Sequence, residues 1–133
     1  MSKAITLKSV LTFLFSLFLL AEAHAETYEK ITGDARSSLY LVKGSVDRTG
    51  KGGANFPSLK VLLDFPTGLA TSAGVAASIT IDMFLDCPLG RQIITQKTFH
   101  VGRMGAGTTV MVDYEPSNDD VRAGILMIYK RLC

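Results

Sequence analysis

The sequence predicts an α+β fold in which an antiparallel β-sheet of about five to six strands is covered by one C-terminal α-helix and pinned by a disulfide. Alternation of apolar and polar residues indicates half-buried strands, most clearly from Ser78 to Cys87. An apolar stripe near the C terminus has the spacing of a helix that packs on a sheet. The two cysteines, Cys87 and Cys133, end that strand and follow that helix.

The first 25 residues are typical of a cleaved secretory signal peptide. Lys3 and Lys8 precede an apolar run over residues 10–20, and Ala23 and Ala25 form the A-x-A cleavage pattern. The run is shorter than the roughly 20 residues that a spanning helix needs, so an uncleaved anchor is the weaker alternative. Cleavage after Ala25 leaves residues 26–133 as a single small domain with no membrane span.

Composition argues against nucleic-acid and anionic-membrane partners. The leader removes two of 14 basic residues and one of 12 acidic residues, which leaves a net charge of about +1. Both kinds of partner need a concentrated basic face, so neither is expected.

An even number of cysteines in an exported chain predicts a disulfide between Cys87 and Cys133. The 46-residue separation corresponds to roughly 4 kcal/mol in the chain-entropy account of disulfides. The alternative is two free thiols.

In the first half of the chain, residues 26–30 favour a short strand or a lead-in, and residues 38–46 favour a strand with a bend at Gly44. Residues 47–53 hold three glycines without the spacing of a phosphate loop, so a solvated hairpin loop is predicted. Residues 69–77 show no useful period, which predicts a loop or, alternatively, a short helix.

Two strands have clear alternation. In residues 59–65 the even-numbered Lys60 and Asp64 are predicted to face solvent. In residues 78–87 the solvent side holds Thr80, Asp82 and Asp86. The opposite, core-facing positions of the two strands are Leu59, Val61, Leu63, Phe65, Ile79, Ile81, Met83, Leu85 and Cys87.

A turn over residues 88–91 should lead into a returning strand over 92–101. The glycine cluster 102–107 lacks the order of a dinucleotide fingerprint, so it predicts a tight connection to a strand over 108–114.

The final helix is predicted to begin after Pro116. Ser117 or Asn118 would cap it, Asp119 and Asp120 would lie at the positive end of its dipole, and basic residues would lie at the other end. Its sheet-facing stripe and flanks are Val121, Ile125, Ile128 and Leu132, with Leu126 and Tyr129, and its last-turn bases are Lys130 and Arg131.

No set of residues indicates a reaction, so we expect a protein that is not an enzyme and has no catalytic, cofactor or metal residues. His100 is the one histidine after the leader and is interpreted as exposed or at a rim, and no C-x-x-C motif is present. Asp82 and Asp86, four residues apart on one strand face, are interpreted as solvent-facing acids rather than a glycosidase pair.

Several motifs in order resemble the surface-adhesin protein E family of small exported bacterial proteins. They cover residues 38–133 and are Tyr40 and the Ser45 bend, the glycine loop, Leu63 to Phe65, Leu85-Asp86-Cys87 with Arg91, residues 102–107, and Leu132-Cys133. The resemblance implies an antiparallel sheet, a covering C-terminal helix and the Cys87–Cys133 bridge. It also implies binding of host serum or matrix proteins.

The expected function is therefore an exported binding module of the bacterial envelope with a protein partner, and with oligomers possible through the sheet edges. The namesake is lipid-anchored, whereas no acylatable cysteine follows this leader. The periplasm is accordingly the expected location, with the cell surface or the exterior as alternatives. A soluble periplasmic structural or stress accessory is the alternative function.

Overall fold

The structure, a computed structural model, describes residues 26–120 and 122–133. The predicted signal peptide and Val121 lie outside these residues. The described residues form seven strands and one helix of more than a single turn: β1 (Tyr28–Gly33), β2 (Ser38–Val42), β3 (Ser58–Thr71), β4 (Gly74–Asp86), β5 (Arg91–His100), β6 (Thr109–Asp113), β7 (Ser117–Asp120) and α1 (Ala123–Leu132).

The strands form one antiparallel sheet, and its topology is a sequential meander from β1 to β6. The β7 strand pairs with the first part of β5, and β6 pairs with the last part, so these two short strands share one side of β5. The predicted α+β class, with an antiparallel sheet and a C-terminal helix, is confirmed.

The core lies between α1 and one face of the sheet. Strand alternation points the odd-numbered residues of β2, β3 and β4 toward the helix, which contributes the buried Ile125 and Ile128. The predicted core positions Leu59, Val61, Ile79, Ile81, Met83 and Leu85 are all buried.

The helix is tied to the sheet at its C-terminal end. Cys87 and Cys133 form the predicted disulfide, with 5.4 Å between their Cα atoms. The Tyr129 hydroxyl donates to the Cys87 carbonyl at 2.9 Å, and Arg48 Nη1 donates to the Leu132 carbonyl at 2.9 Å. Lys130 and Arg131 occupy the last turn, as predicted.

Two element predictions were wrong. Residues 69–77 form no loop or helix, since β3 and β4 continue through them as a long hairpin that turns between Thr71 and Gly74. Ser117, Asn118, Asp119 and Asp120 do not cap the helix, because they form β7.

The helix begins later than predicted. Arg122 occupies the N-cap position with extended backbone angles and no side-chain cap, and its carbonyl accepts the first helical hydrogen bonds from Ile125 and Leu126.

Candidate binding face

The sheet face opposite the helix carries a polar groove. Strand alternation places the even-numbered side chains of β3, β4 and the second part of β5 on this face. The groove has a volume of about 420 Å³, and its lining consists of Glu26, Lys60, Thr80, Asp82, Gln96, Thr98, His100 and Gly105.

One end of the groove is closed by the segment Arg103–Gly105, which folds back onto the sheet. The carboxylate of Asp64, only 1% exposed, accepts hydrogen bonds from Arg103 Nε at 3.1 Å and from the Met104 N–H at 2.8 Å. The Ser78 hydroxyl donates to the Gly102 carbonyl and accepts from the Gly105 N–H. The predicted tight connection at 102–107 is confirmed.

Asp64 was predicted to face solvent, and this was wrong. It does lie on the face away from the helix, but the folded-back segment buries it together with Leu62. The nearby carboxylate raises the pKa of the Arg103 guanidinium, chiefly through their hydrogen bonds.

His100 lies at the wall of the groove and is partly buried, consistent with the predicted rim position. Its Nε2 is 2.7 Å from the Thr80 hydroxyl. Burial lowers the pKa of His100, and the positive charge of Lys60 lowers it further against an opposing effect of Glu26. The imidazole is therefore held neutral at neutral pH.

The two carboxylates on the outer face of β4 have separate surroundings. Asp82 lies in the groove, with its Oδ1 4.0 Å from Lys60 Nζ. Asp86 is only 7% exposed, contrary to the prediction, and its Oδ1 accepts from the Leu89 N–H in the turn after β4. The structure therefore gives Asp86 a local role in the turn, and of these two carboxylates it is Asp82 that lines the groove.

The two edges of the sheet differ in how they are protected. On β1, Arg131 of the helix donates to both oxygens of Glu29, at 2.8 and 3.0 Å, and charged residues flank the strand. On β6, the residues Val110, Met111 and Val112 form an apolar run that borders the groove, since Val112 lies opposite Thr98 of β5. Val101 and Tyr114, at either end of this edge, are 52% and 69% exposed.

The described residues show neither a cluster of metal ligands nor a membrane-spanning helix. Within residues 26–120 and 122–133, no three His, Cys, Asp or Glu side chains come together in a way that would hold a metal ion. No helix in the same part of the chain is long and apolar enough to cross a membrane.

The sequence placed Thr80 and Asp82 on the solvent side of their strand and His100 at a rim without assigning any of them to a site, and the structure brings the three into one groove. Sequence reasoning did not identify the β6 edge or the partners of Asp64. The shared location of Lys60 and Asp82 could have been predicted, because both are outward-facing polar positions in the alternation of neighbouring strands. The Asp64–Arg103 pair is separated by 39 residues and had no local signal.

The fold is similar to that of Haemophilus influenzae protein E. One crystal form of that protein matches with a TM-score of 0.63 at 11% identity over 80% of this chain and 86% of that one. A selenomethionine form matches with the same TM-score at 12% identity over 80% and 84%. No family model and no curated protein matches this sequence. The predicted resemblance is thus confirmed for the fold, and identities this low transfer no residue roles.

Proposed function

We propose that this protein is an exported, non-catalytic binding module of the bacterial envelope that captures a protein partner by adding one of the partner's strands to β6. The observation that carries the proposal is the unprotected apolar edge formed by Thr109–Asp113. Backbone N–H and C=O groups on the outer side of an edge strand are available to pair with an extended segment.

The contrast between the edges supports this choice. Natural edge strands are commonly protected by charges or by a covering element, as the Glu29–Arg131 pair and α1 protect β1. Within β6 the one charged residue is Asp113, and exposed Val101 and Tyr114 provide apolar contacts beside the edge. The likeness to protein E supports a binding role by analogy of fold.

The direct test compares edge variants in saturable binding. Val110→Lys with Val112→Lys places two charges on β6, and we expect at least tenfold weaker binding to whichever host matrix, serum or envelope proteins the wild type binds. Thr32→Lys on β1 is the matched control and should bind as the wild type does. Equal binding by all three proteins, or no saturable partner for the wild type, contradicts the proposal.

A second copy of the chain is one possible source of the added strand. In that case sedimentation would show a dimer for the wild type and for Thr32→Lys, and a monomer for the doubly substituted protein.

A second candidate function is a soluble periplasmic structural or stress accessory. It is favoured by the use of both cysteines in the disulfide, which leaves neither for lipid attachment. Fractionation separates the two: protease accessibility on intact cells supports adhesion, whereas recovery only in the soluble periplasm supports the accessory role.

A further inference from the structure

A second concavity lies on the other side of the sheet, between the first half of α1 and strands β3 to β5. Its volume is about 400 Å³. Its apolar lining includes Val61, Leu63, Ile81, Met83, Ile94 and Ile125. Cavities of this size and character are typical of small-molecule sites.

Gln92 gives this cavity a specific chemical requirement. Its side chain lines the cavity and is only 3% exposed, and its Oε1 accepts no hydrogen bond from any residue that the structure describes. Buried amide oxygens are nearly always paired, because an unpaired one destabilises the protein. A hydroxyl or N–H group carried in by a ligand would supply the missing donor.

Lys97 gives the opposite end of the cavity a positive charge. It lines the cavity, is partly exposed, and forms no ion pair with the side chains that the structure describes. Asp113 is its cross-strand neighbour on β6. Arg122 also lines the cavity.

The register of the sheet gives the distance between the backbone positions of Gln92 and Lys97. Gln92 lies opposite Leu85 and Lys97 lies opposite Ile81, so four residues of β4 separate their positions. At about 3.3 Å per residue the separation is roughly 13 Å. A space of about 150 Å³ holds a six-carbon ring, so the volume of this cavity is more than sufficient for an extended chain of about ten carbons that would span this separation.

We propose that the cavity binds an elongated aliphatic monocarboxylic acid that carries a hydrogen-bond donor at its far end. The carboxylate lies beside Lys97, the chain lies along the apolar lining, and the terminal donor reaches Gln92 Oε1. This site is separate from the β6 edge and does not depend on the proposed protein binding.

The test uses 10-hydroxydecanoate and decanoate, with binding measured by calorimetry on protein purified after export. In the wild type the terminal hydroxyl should favour binding. In Gln92→Leu the preference for the hydroxylated acid should fall by about five- to tenfold, because the acceptor is gone. Gln96→Leu, on the opposite sheet face, is the matched control and should keep the preference.

Two further comparisons test the orientation. Lys97→Met should weaken both acids but leave the neutral 10-hydroxydecanamide unchanged, and Lys60→Met on the other face should change neither. Shortening the hydroxy acid should weaken binding by about fourfold per methylene.

The melting temperature of Gln92→Leu shows whether Gln92 Oε1 is unpaired in the absence of a ligand or is already paired with a trapped water. Gln92→Leu should melt no lower than the wild type, because it removes an unpaired oxygen. Absence of saturable acid binding, an unchanged hydroxyl preference in Gln92→Leu, or equal effects of the opposite-face controls would overturn the proposal.

Discussion

Asp64 is the side chain that holds the glycine-rich segment 102–107 against the sheet. Its carboxylate accepts from both Arg103 and the Met104 N–H, and Met104 adopts a left-handed backbone with φ of 53°. Such a conformation is unfavourable for a residue with a side chain, so it persists where surrounding contacts impose it. The Asp64 contacts and the Tyr28 hydroxyl, which donates to the Met104 carbonyl at 3.2 Å, provide that constraint.

Asp64→Asn should lower the free energy of unfolding by about 1–3 kcal/mol, because the neutral amide cannot satisfy both donors. Urea denaturation measures the loss. Asp82→Asn is the matched control, since its carboxylate is partly exposed and 4.0 Å from Lys60, and it should change stability by less than about 0.5 kcal/mol. Equal effects of the two substitutions would contradict the assigned role of Asp64.

His100 makes stability depend on pH. Burial depresses its pKa in the folded state below the ordinary value of 6.5, so the unfolded chain binds the proton more readily. The stabilising contribution is present above pH 6.5 and is lost as pH falls through the lower folded-state pKa.

His100→Gln keeps a hydrogen-bonding partner for Thr80 and removes the titration. The wild type should therefore lose more stability than the variant between neutral pH and the folded-state pKa of His100. Denaturation midpoints at pH 7.5, 6.0 and 5.0 provide the measurement. Parallel curves for the two proteins would show that His100 contributes no pH dependence.

At the scale of elements, local pattern was sufficient where one face of a strand meets the core. The strand of Ile79 to Leu85 and the turn before Arg91 follow from alternation and from Pro88 and Gly90, and both are present. The hairpin at 69–77 could not be predicted, because its small residues show no apolar alternation and its two strands pair with each other, with Leu69 and Ala76 packing at its base.

The predicted start of the helix was wrong because, here too, pairing between strands decided the structure. Pro116-Ser117-Asn118 followed by two acids is a typical helix start, but pairing of Ser117 with Ile94 and of Asn118 with Ile93 extends the sheet instead. The helix begins only after Arg122, where Gly124 lies close to Leu39: a Cβ on Gly124 would be 3.5 Å from Leu39 Cδ2. Such long-range contacts override local propensity.

In the candidate sites too, strand alternation predicted some residues, whereas others depend on how one strand pairs with the next. Alternation placed Thr80 and Asp82 on the outer sheet face, and both line the groove. Gln92 and Lys97 line the second cavity because a bulge near Asp82 shifts the register of β5 by one residue. A bulge reverses which side of the strand later residues face, so sequence spacing alone could not bring these two side chains to the same face.

In the molecule as a whole, the two faces of the meander sheet have different surroundings. One face is covered by α1, and the other carries the polar groove. Because consecutive strands are neighbours, contacts near in sequence build most of the sheet. The helix is different, since it comes last in the chain and yet contacts β1 and β2, the strands most distant from it in sequence.

The disulfide attaches the end of the helix to the sheet, so its removal should affect the helix and the sheet together. Cys87→Ser with Cys133→Ser opens a 46-residue loop and should lower the free energy of unfolding by about 4 kcal/mol. Denaturation of the wild type with and without reductant measures the same loss. Reductant should not alter the doubly substituted protein, which is the control. The contacts of Tyr129 and Arg48 at the helix end do not involve the sulfur atoms, so the reduced protein should stay folded but be less stable. A wild-type midpoint that reductant leaves unchanged would show that the bridge does not stabilise the fold.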